Sequence, residues 1–438
     1  MKKSIFIFSV LFSCTALFAQ SADFSGDLET LWGVTAPWTD SETAGDFSAG
    51  DSSFTGKIDA YSGNSSLLLD GTVGYDSVQK NLYAQINEAY LDYSSAFWGI
   101  RIGRQKLVWG KADGINITNS VFPENSTSLF IDDSSLAVDA MRFSVTGNFF
   151  TADACWIPFS TMTALPLEET NPLRKYIVPS SVSFSSNGTD FNLPVYIGEL
   201  TEPELKLKNG EYGLKLSGYF SFCDVSVYGF YGWDKAPLLN YTINTIPTEV
   251  MPGYTVDYPQ SITVSGQYKR MAMTGFDAAV PVGPVVLRAE AAFFPERYMQ
   301  AAASEILSGG ENSIKKNNVM ALAGFDWMPS GWTITAQYYC DYVFGGVEKL
   351  NRSEEYEHGA TLSISKTLLN ETLSLSLSGM LGLNDFDSAV VFSADYSLSD
   401  QISLAAGCYA FIPGPEKDGN YGAYKDLSTI YIKAKFSF

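Results

Sequence analysis

Residues 430–438 read Ile430-Tyr431-Ile432-Lys433-Ala434-Lys435-Phe436-Ser437-Phe438, and they alternate without a break. One face would carry Ile430, Ile432, Ala434, Phe436 and Phe438. The other would carry Tyr431, Lys433, Lys435 and Ser437. Successive strand side chains point to opposite faces, so this is a strand with one apolar and one polar side. Chain ends usually fray. A strand this regular at a chain end suits a β-barrel that closes on its last strand.

Reading backwards from Phe438, the same alternation recurs. Leu373, Leu375, Leu377, Gly379, Leu381 and Leu383 alternate with Thr372, Ser374, Ser376 and Ser378. Trp332 to Tyr342 and Val319 to Trp327 repeat the pattern, each roughly ten to twelve residues long, the length that crosses a bilayer at a tilt. The connections sort by length. Short turns fall near 399–401, 368–371, 329–331, 281–283, 223, 147–148, 94–95 and 62–65. Between them fall connections at 412–426, 385–387, 344–355, 295–317, 234–261, 158–209, 107–135, 76–81 and 35–52, most of them long. Membrane barrels carry short turns at one end and longer loops at the other. The count gives an all-β, transmembrane, antiparallel up-and-down barrel of about 18 strands, with 16 as the alternative because Phe24 to Val34 and the region near Ile115 are ambiguous. Pro281, Pro329, Pro413 and Pro415 fall in connections, where no ladder hydrogen bond is lost.

Composition agrees. Charged residues are 17% of the 438 and aromatics 14%, against about 25% charged in soluble proteins. The net charge of -20 excludes nucleic acid as a partner, because phosphates need a basic surface. At the other end, Met1 to Gln20 has two lysines followed by an apolar run too short to span a bilayer. It reads as a signal peptide over 1–19, with the barrel occupying 20–438. Leu11-Phe12-Ser13-Cys14 is a loose lipid-attachment motif, but apolar residues continue past Cys14. The other cysteines, Cys155, Cys223, Cys340 and Cys408, lack metal spacing. His358, the single histidine, has no accompanying nucleophile motif, so no enzyme is expected and no cofactor.

A barrel of this size encloses an aqueous lumen. Parity places Arg101, Arg142, Lys215, Lys269, Arg288, Lys433 and Lys435 on its inner wall, with Glu88, Asp92, Asp153, Asp277, Glu290, Asp326, Asp341 and Asp395. The candidates for lining or constricting the pore are Glu88, Asp92, Arg101, Arg104, Lys111, Arg142, Arg288, Glu290, Lys433 and Lys435. Charged walls tune selectivity in water-filled pores. Arg104, Lys106 and Lys111 make 101–114 dense in cations within an acidic chain. A loop that folds inward is tolerated at membrane depth because it lines water. Residues 107–125, or part of 158–208, could form such an eyelet.

The terminal aromatic preceded by alternating apolar residues resembles the C-terminal assembly signal of Gram-negative outer-membrane proteins. Arg101 to Gly114 (RIGRQKLVWGKADG) resembles the Gly-Arg-Gln…Trp-Gly signature of a porin-like outer-membrane family of uncharacterised function. Trp156-Ile157-Pro158-Phe159 and Leu165-Pro166 are similar to a second shared stretch. The resemblance covers roughly residues 86–175. It implies an outer-membrane barrel with pore-like behaviour and supplies no substrate. The leading reading is a channel for passive diffusion of small hydrophilic solutes, in contact with membrane lipids and the barrel assembly machinery and compatible with a homo-oligomer. The alternatives are a transporter of hydrophobic compounds and a surface adhesin with binding loops.

Overall fold

The computed structural model describes residues 21–36, 42–115, 117–130, 133–186 and 189–438. The expected signal peptide lies outside the described residues. In chain order the strands begin with β1 (Ser21–Thr35), β2 (Phe47–Ser62), β3 (Ser65–Asp76), β4 (Asn81–Ser94), β5 (Trp98–Gln105), β6 (Val138–Thr146) and β7 (Phe150–Phe159). They continue with β8 (Ser181–Ser186), β9 (Thr189–Thr201), β10 (Glu211–Tyr219), β11 (Asp224–Trp233), β12 (Leu238–Met251), β13 (Tyr254–Gln267), β14 (Arg270–Val282) and β15 (Val285–Gln300). The rest are β16 (Ser313–Trp327), β17 (Trp332–Val343), β18 (Tyr356–Leu368), β19 (Leu373–Gly382), β20 (Ser388–Ser397), β21 (Ile402–Ile412) and β22 (Thr429–Ser437).

Eighteen of these form one antiparallel sheet, and it closes because β22 pairs with β1 as well as with β21. The seam runs from Asp27↔Ser437 to Thr35↔Thr429. Beyond it, Gly26 and Phe438 exchange both backbone hydrogen bonds at 3.0 Å. The Phe438 ring lies 5.8 Å from Phe24 and stacks at 6.3 Å on Phe54. The terminal aromatic therefore zips the seam on the outer face, and closure leaves no bare edge.

The outer face is apolar around the circumference. Leu28, Phe54, Leu91, Ile102, Phe276, Phe325, Leu377, Leu404 and Ile432 are all exposed. A soluble monomer seldom exposes apolar patches beyond a few hundred Å², whereas lipid requires such a band. No helix among the described residues is long and apolar enough to cross a membrane. On β22 the expected division holds: Ile430, Ile432, Phe436 and Phe438 are exposed outside, and Tyr431 is buried.

Two long connections carry strands of their own. β12 and β13 pair as a hairpin, β9 adds to β13 in parallel, and β8 adds to β9. This four-stranded sheet occupies much of the stretches 158–209 and 234–261, which the sequence reads as plain loops. Its face holds a small core of its own around Val178, Leu193, Val195, Ile262 and Val264. The connection expected at 295–317 is shorter, because β15 runs on to Gln300 and β16 begins at Ser313.

Candidate functional site

The site is the lumen, and one segment dominates it. After Gln105 the chain leaves the wall and turns inward. Leu107, Trp109, Ile117, Val121 and Phe122 are all buried against Ile157, Tyr228, Phe230, Met273 and Phe294 on the inner wall. Trp109 stacks on Tyr228 at 5.1 Å and meets Phe122 edge-on at 5.0 Å. Apolar side chains on the inside of a barrel would otherwise face water, so segment and wall cover each other. A short 3-10 turn, Thr118–Val121, sits at the deepest point of contact.

The polar anchor of this segment is Glu290 on β15, which is 3% exposed. Its carboxylate accepts hydrogen bonds from the backbone N–H groups of Lys111 (2.7 Å), Ala112 (3.0 Å) and Thr118 (2.7 Å), and from the Thr118 hydroxyl (2.8 Å). Gly110 makes this approach possible. Its φ is +88°, and a Cβ there would lie 2.5 Å from the Glu290 oxygens. Lys111 extends to Asp277, with Nζ 3.6 Å from Oδ1. Tyr228 donates from its hydroxyl to Asp277 and accepts from the Gly110 N–H at 3.1 Å. Arg288 donates to the Lys111 carbonyl (2.7 Å) and Asp113 (2.9 Å), and pairs with Asp326 at 2.5 Å. Segment and wall are thus joined by an apolar underside and a latch of buried charges.

Beyond Phe122 the segment borders a cavity of about 610 Å³. The barrel wall supplies Asp51, Asp76, Tyr83 and Gln85, and the segment side supplies Arg104, Lys106, Ser128 and Asp133. Tyr83 donates to Asp51 at 3.0 Å. Lys106 pairs with Asp133 at 2.7 Å, and its backbone N–H donates to Glu88 at 2.8 Å. Burial pushes the Asp133 carboxyl up, but the Lys106 ammonium and the Ser135 N–H outweigh it and hold it below the usual value.

The ten candidates fall into three groups. Lys111, Arg288 and Glu290 meet in the latch, and Glu290 is covered rather than lining open space. Parity gives its inward direction correctly, and the infolded segment then hides it. Glu88 and Arg104 stand by the cavity, with Arg104 also 3.7 Å from Asp139. Nearer the short-turn end, Asp92 pairs with Arg101 at 2.7 Å, and Arg101 lies 4.1 Å over the Tyr90 ring. Arg142 sits opposite Arg101 across the strand pair, and its Nε has no hydrogen-bond partner. Lys433 faces Glu29 at 3.9 Å and Lys435 faces Asp27 at 3.3 Å. Lys111 thus pairs with Asp277 in the latch, Arg101 with Asp92, and Arg104 lines the cavity. Lys106 and Asp133, both off the strands, carry no parity signal.

Lys269 departs from its expected place. It packs 5.5 Å from the Tyr298 ring at the loop-end rim. Lys269 lies in the connection between β13 and β14, one residue before β14 begins opposite Trp233, so the alternation of the wall does not extend to it. Cys155 is buried against the infolded segment; Cys155, Cys223, Cys340 and Cys408 are all unbridged.

Barrel and infolded segment together make a closed 18-strand antiparallel barrel with a partly filled lumen, a fold that known structures share. The chain is similar to Pseudomonas aeruginosa OccK8 (OprE), with 11% identity, a TM-score of 0.52, and coverage of 96% of this chain and 98% of that one. Acinetobacter baumannii OccAB1 gives 10% identity and a TM-score of 0.53, covering 96% and 97%. Pseudomonas aeruginosa OccK2 (OpdF), solved in complex with glucuronate, gives 9% and 0.52, covering 96% and 99%. No family model and no curated protein matches the sequence.

Proposed function

We propose that this chain is an outer-membrane channel for passive diffusion of small hydrophilic solutes, narrowed by the infolded segment 107–135. The observation that carries this reading is a charged lumen whose cross-section is reduced by a segment latched to the wall through Glu290 and Asp277. Both signs line the passage, which suits a transverse field acting on polar solutes. That a protein of this fold, OccK2, was solved with glucuronate agrees with passage of small, charged hydrophiles. Residues 1–19 act as a cleaved signal peptide, and the short-turn end, with Ser21 and Phe438, faces the periplasm. The long connections, including the four-stranded sheet, then face outward. No catalytic role is assigned to any residue.

Purified, refolded protein in a planar bilayer should conduct, and a salt gradient should give a reversal potential that reports the ion preference of the lumen. A folded barrel that inserts without conducting would overturn the channel reading.

A further inference from the structure

We infer that the outer wall at the loop end carries a binding site for the phosphate-bearing headgroup of a membrane lipid, built on Lys208, Lys269 and Arg270. The inference rests on the membrane placement proposed above. Among the described residues these three make no ion pair, and they are neighbours. Arg270 donates to the carbonyls of Lys208 (3.2 Å) and Gly210 (2.9 Å), and Lys269 adjoins it in the chain. The nearby Lys206 and Lys315 are already paired, with Glu204 (2.5 Å) and Glu296 (3.3 Å).

Position points to lipid rather than to solute. Arg270 begins β14 on the outward row, opposite Trp233 of β11. Its guanidinium lies 4.3 Å over the Trp233 ring and 5.4 Å from that of Tyr231, which is 53% exposed. Leu205 and Leu207, flanking the lysines in the run Leu205-Lys206-Leu207-Lys208, are 77% and 65% exposed. Exposed leucines between lysines, above an aromatic belt, match the boundary where acyl chains give way to headgroups. Cations at that level attract anionic lipid. Arg270 spends two donors on carbonyls but keeps its charge, and its plane is fixed by the ring. Among the described residues Lys208 and Lys269 form no ion pair, so their charges remain available to a phosphate beside Arg270.

The test uses the full protein in phosphatidylcholine vesicles, with spin-labelled phosphatidic acid and spin-labelled phosphatidylcholine as probes of the lipid shell. The wild type should hold phosphatidic acid about fivefold more strongly, an advantage that salt should weaken. Lys208→Gln/Lys269→Gln/Arg270→Gln should abolish the preference. Lys208→Gln/Lys269→Gln, which leaves the Arg270 packing intact, should lose most of it. Conductance should be unchanged in both variants. Equal association of the two probes with the wild type, or an undiminished preference in the double variant, would overturn the inference and leave the channel reading standing. A wild type that fails to conduct would fault that reading instead.

Discussion

Replacing Glu290 by Ala should loosen the infolded segment without unfolding the barrel. The substitution removes the acceptor of four hydrogen bonds at 2.7–3.0 Å. Hydrogen bonds to a charged group contribute about 1.5–3 kcal/mol each, but they share one carboxylate and do not add. Three N–H groups, that of Thr118 buried and those of Lys111 and Ala112 half-buried, would lose their partner, at about 1–3 kcal/mol for a donor left buried and unsatisfied. The apolar underside opposes release. Burying the side chains of Leu107, Trp109, Ile117, Val121 and Phe122 contributes about 1.5–3 kcal/mol apiece, an upper estimate. Their sum exceeds the lost latch, so Trp109, Ile117 and Phe122 should stay docked while the stretch around Gly110 to Ala112 lifts from the wall. Asp277, directly across the strand pair from Glu290, would keep Lys111 and be relieved of a like charge.

The assay is single-channel recording of Glu290→Ala beside the wild type. Open-channel noise should rise, because a partly released segment fluctuates within the current path, and mean conductance should shift. Glu290→Gln keeps one acceptor oxygen and should fall between the two. Urea unfolding of the barrel should barely change. Traces from Glu290→Ala that match the wild type in both conductance and noise would refute the reasoning, since a latch that matters cannot be cut silently.

Gly110→Ala attacks the same contact from the other side. A Cβ 2.5 Å from the Glu290 oxygens at φ +88° must push the segment away, so this variant should reproduce the added noise while urea unfolding of the barrel again barely changes. Lys235→Met leaves Glu211 buried at 0% exposure with its ammonium partner gone. It should lower barrel stability by roughly 3–5 kcal/mol, and Glu211→Leu added to it should restore much of the loss; urea midpoints of the single and double variants decide this. The Lys106–Asp133 pair gives a pH signature. The Asp133 carboxyl is held below its usual 3.8, so its contribution is fully present above that value and is lost as pH falls through the depressed folded value. Noise arising from this part of the segment should stay flat from about pH 7 to 4 and rise only below, and Asp133→Asn should show the elevated noise already at pH 7.

Period-two alternation is a local property, so most of the strand series back from Phe438 was legible residue by residue. The count was legible as about 18, with 16 left open by Phe24 to Val34 and the region near Ile115; pairing of β1 with β22 gives 18. Inner and outer faces followed wherever two neighbouring strands pair along their length. They failed at the rim: Lys269 lies in the connection just before β14 begins at Arg270, where the alternation of the wall has not yet started. The hairpin of β12 and β13 was hidden for a different reason. A strand in a loop has the same alternation as a strand in the wall, and only the spatial partner of β13, the distant β9, distinguishes them.

The stretch Arg101 to Gly114 shows where sequence reading stops. Its density of cations suggests a ring of charges facing a solute. The structure divides those charges among unrelated tasks: Arg101 closes on Asp92, Lys106 on Asp133, and Lys111 on Asp277. The Trp-Gly pair within it has a different physical role from its neighbours. Trp109 supplies apolar contact to Tyr228, and Gly110 supplies the missing Cβ that lets Glu290 reach three backbone N–H groups. Neither residue is charged, yet both are required for the segment to lie across the lumen. A run that reads as an eyelet by composition is therefore, atom by atom, first a docking joint. Beside the joint, Arg104, Lys106 and Asp133 line the cavity together with Asp51, Asp76, Tyr83 and Gln85 of the wall.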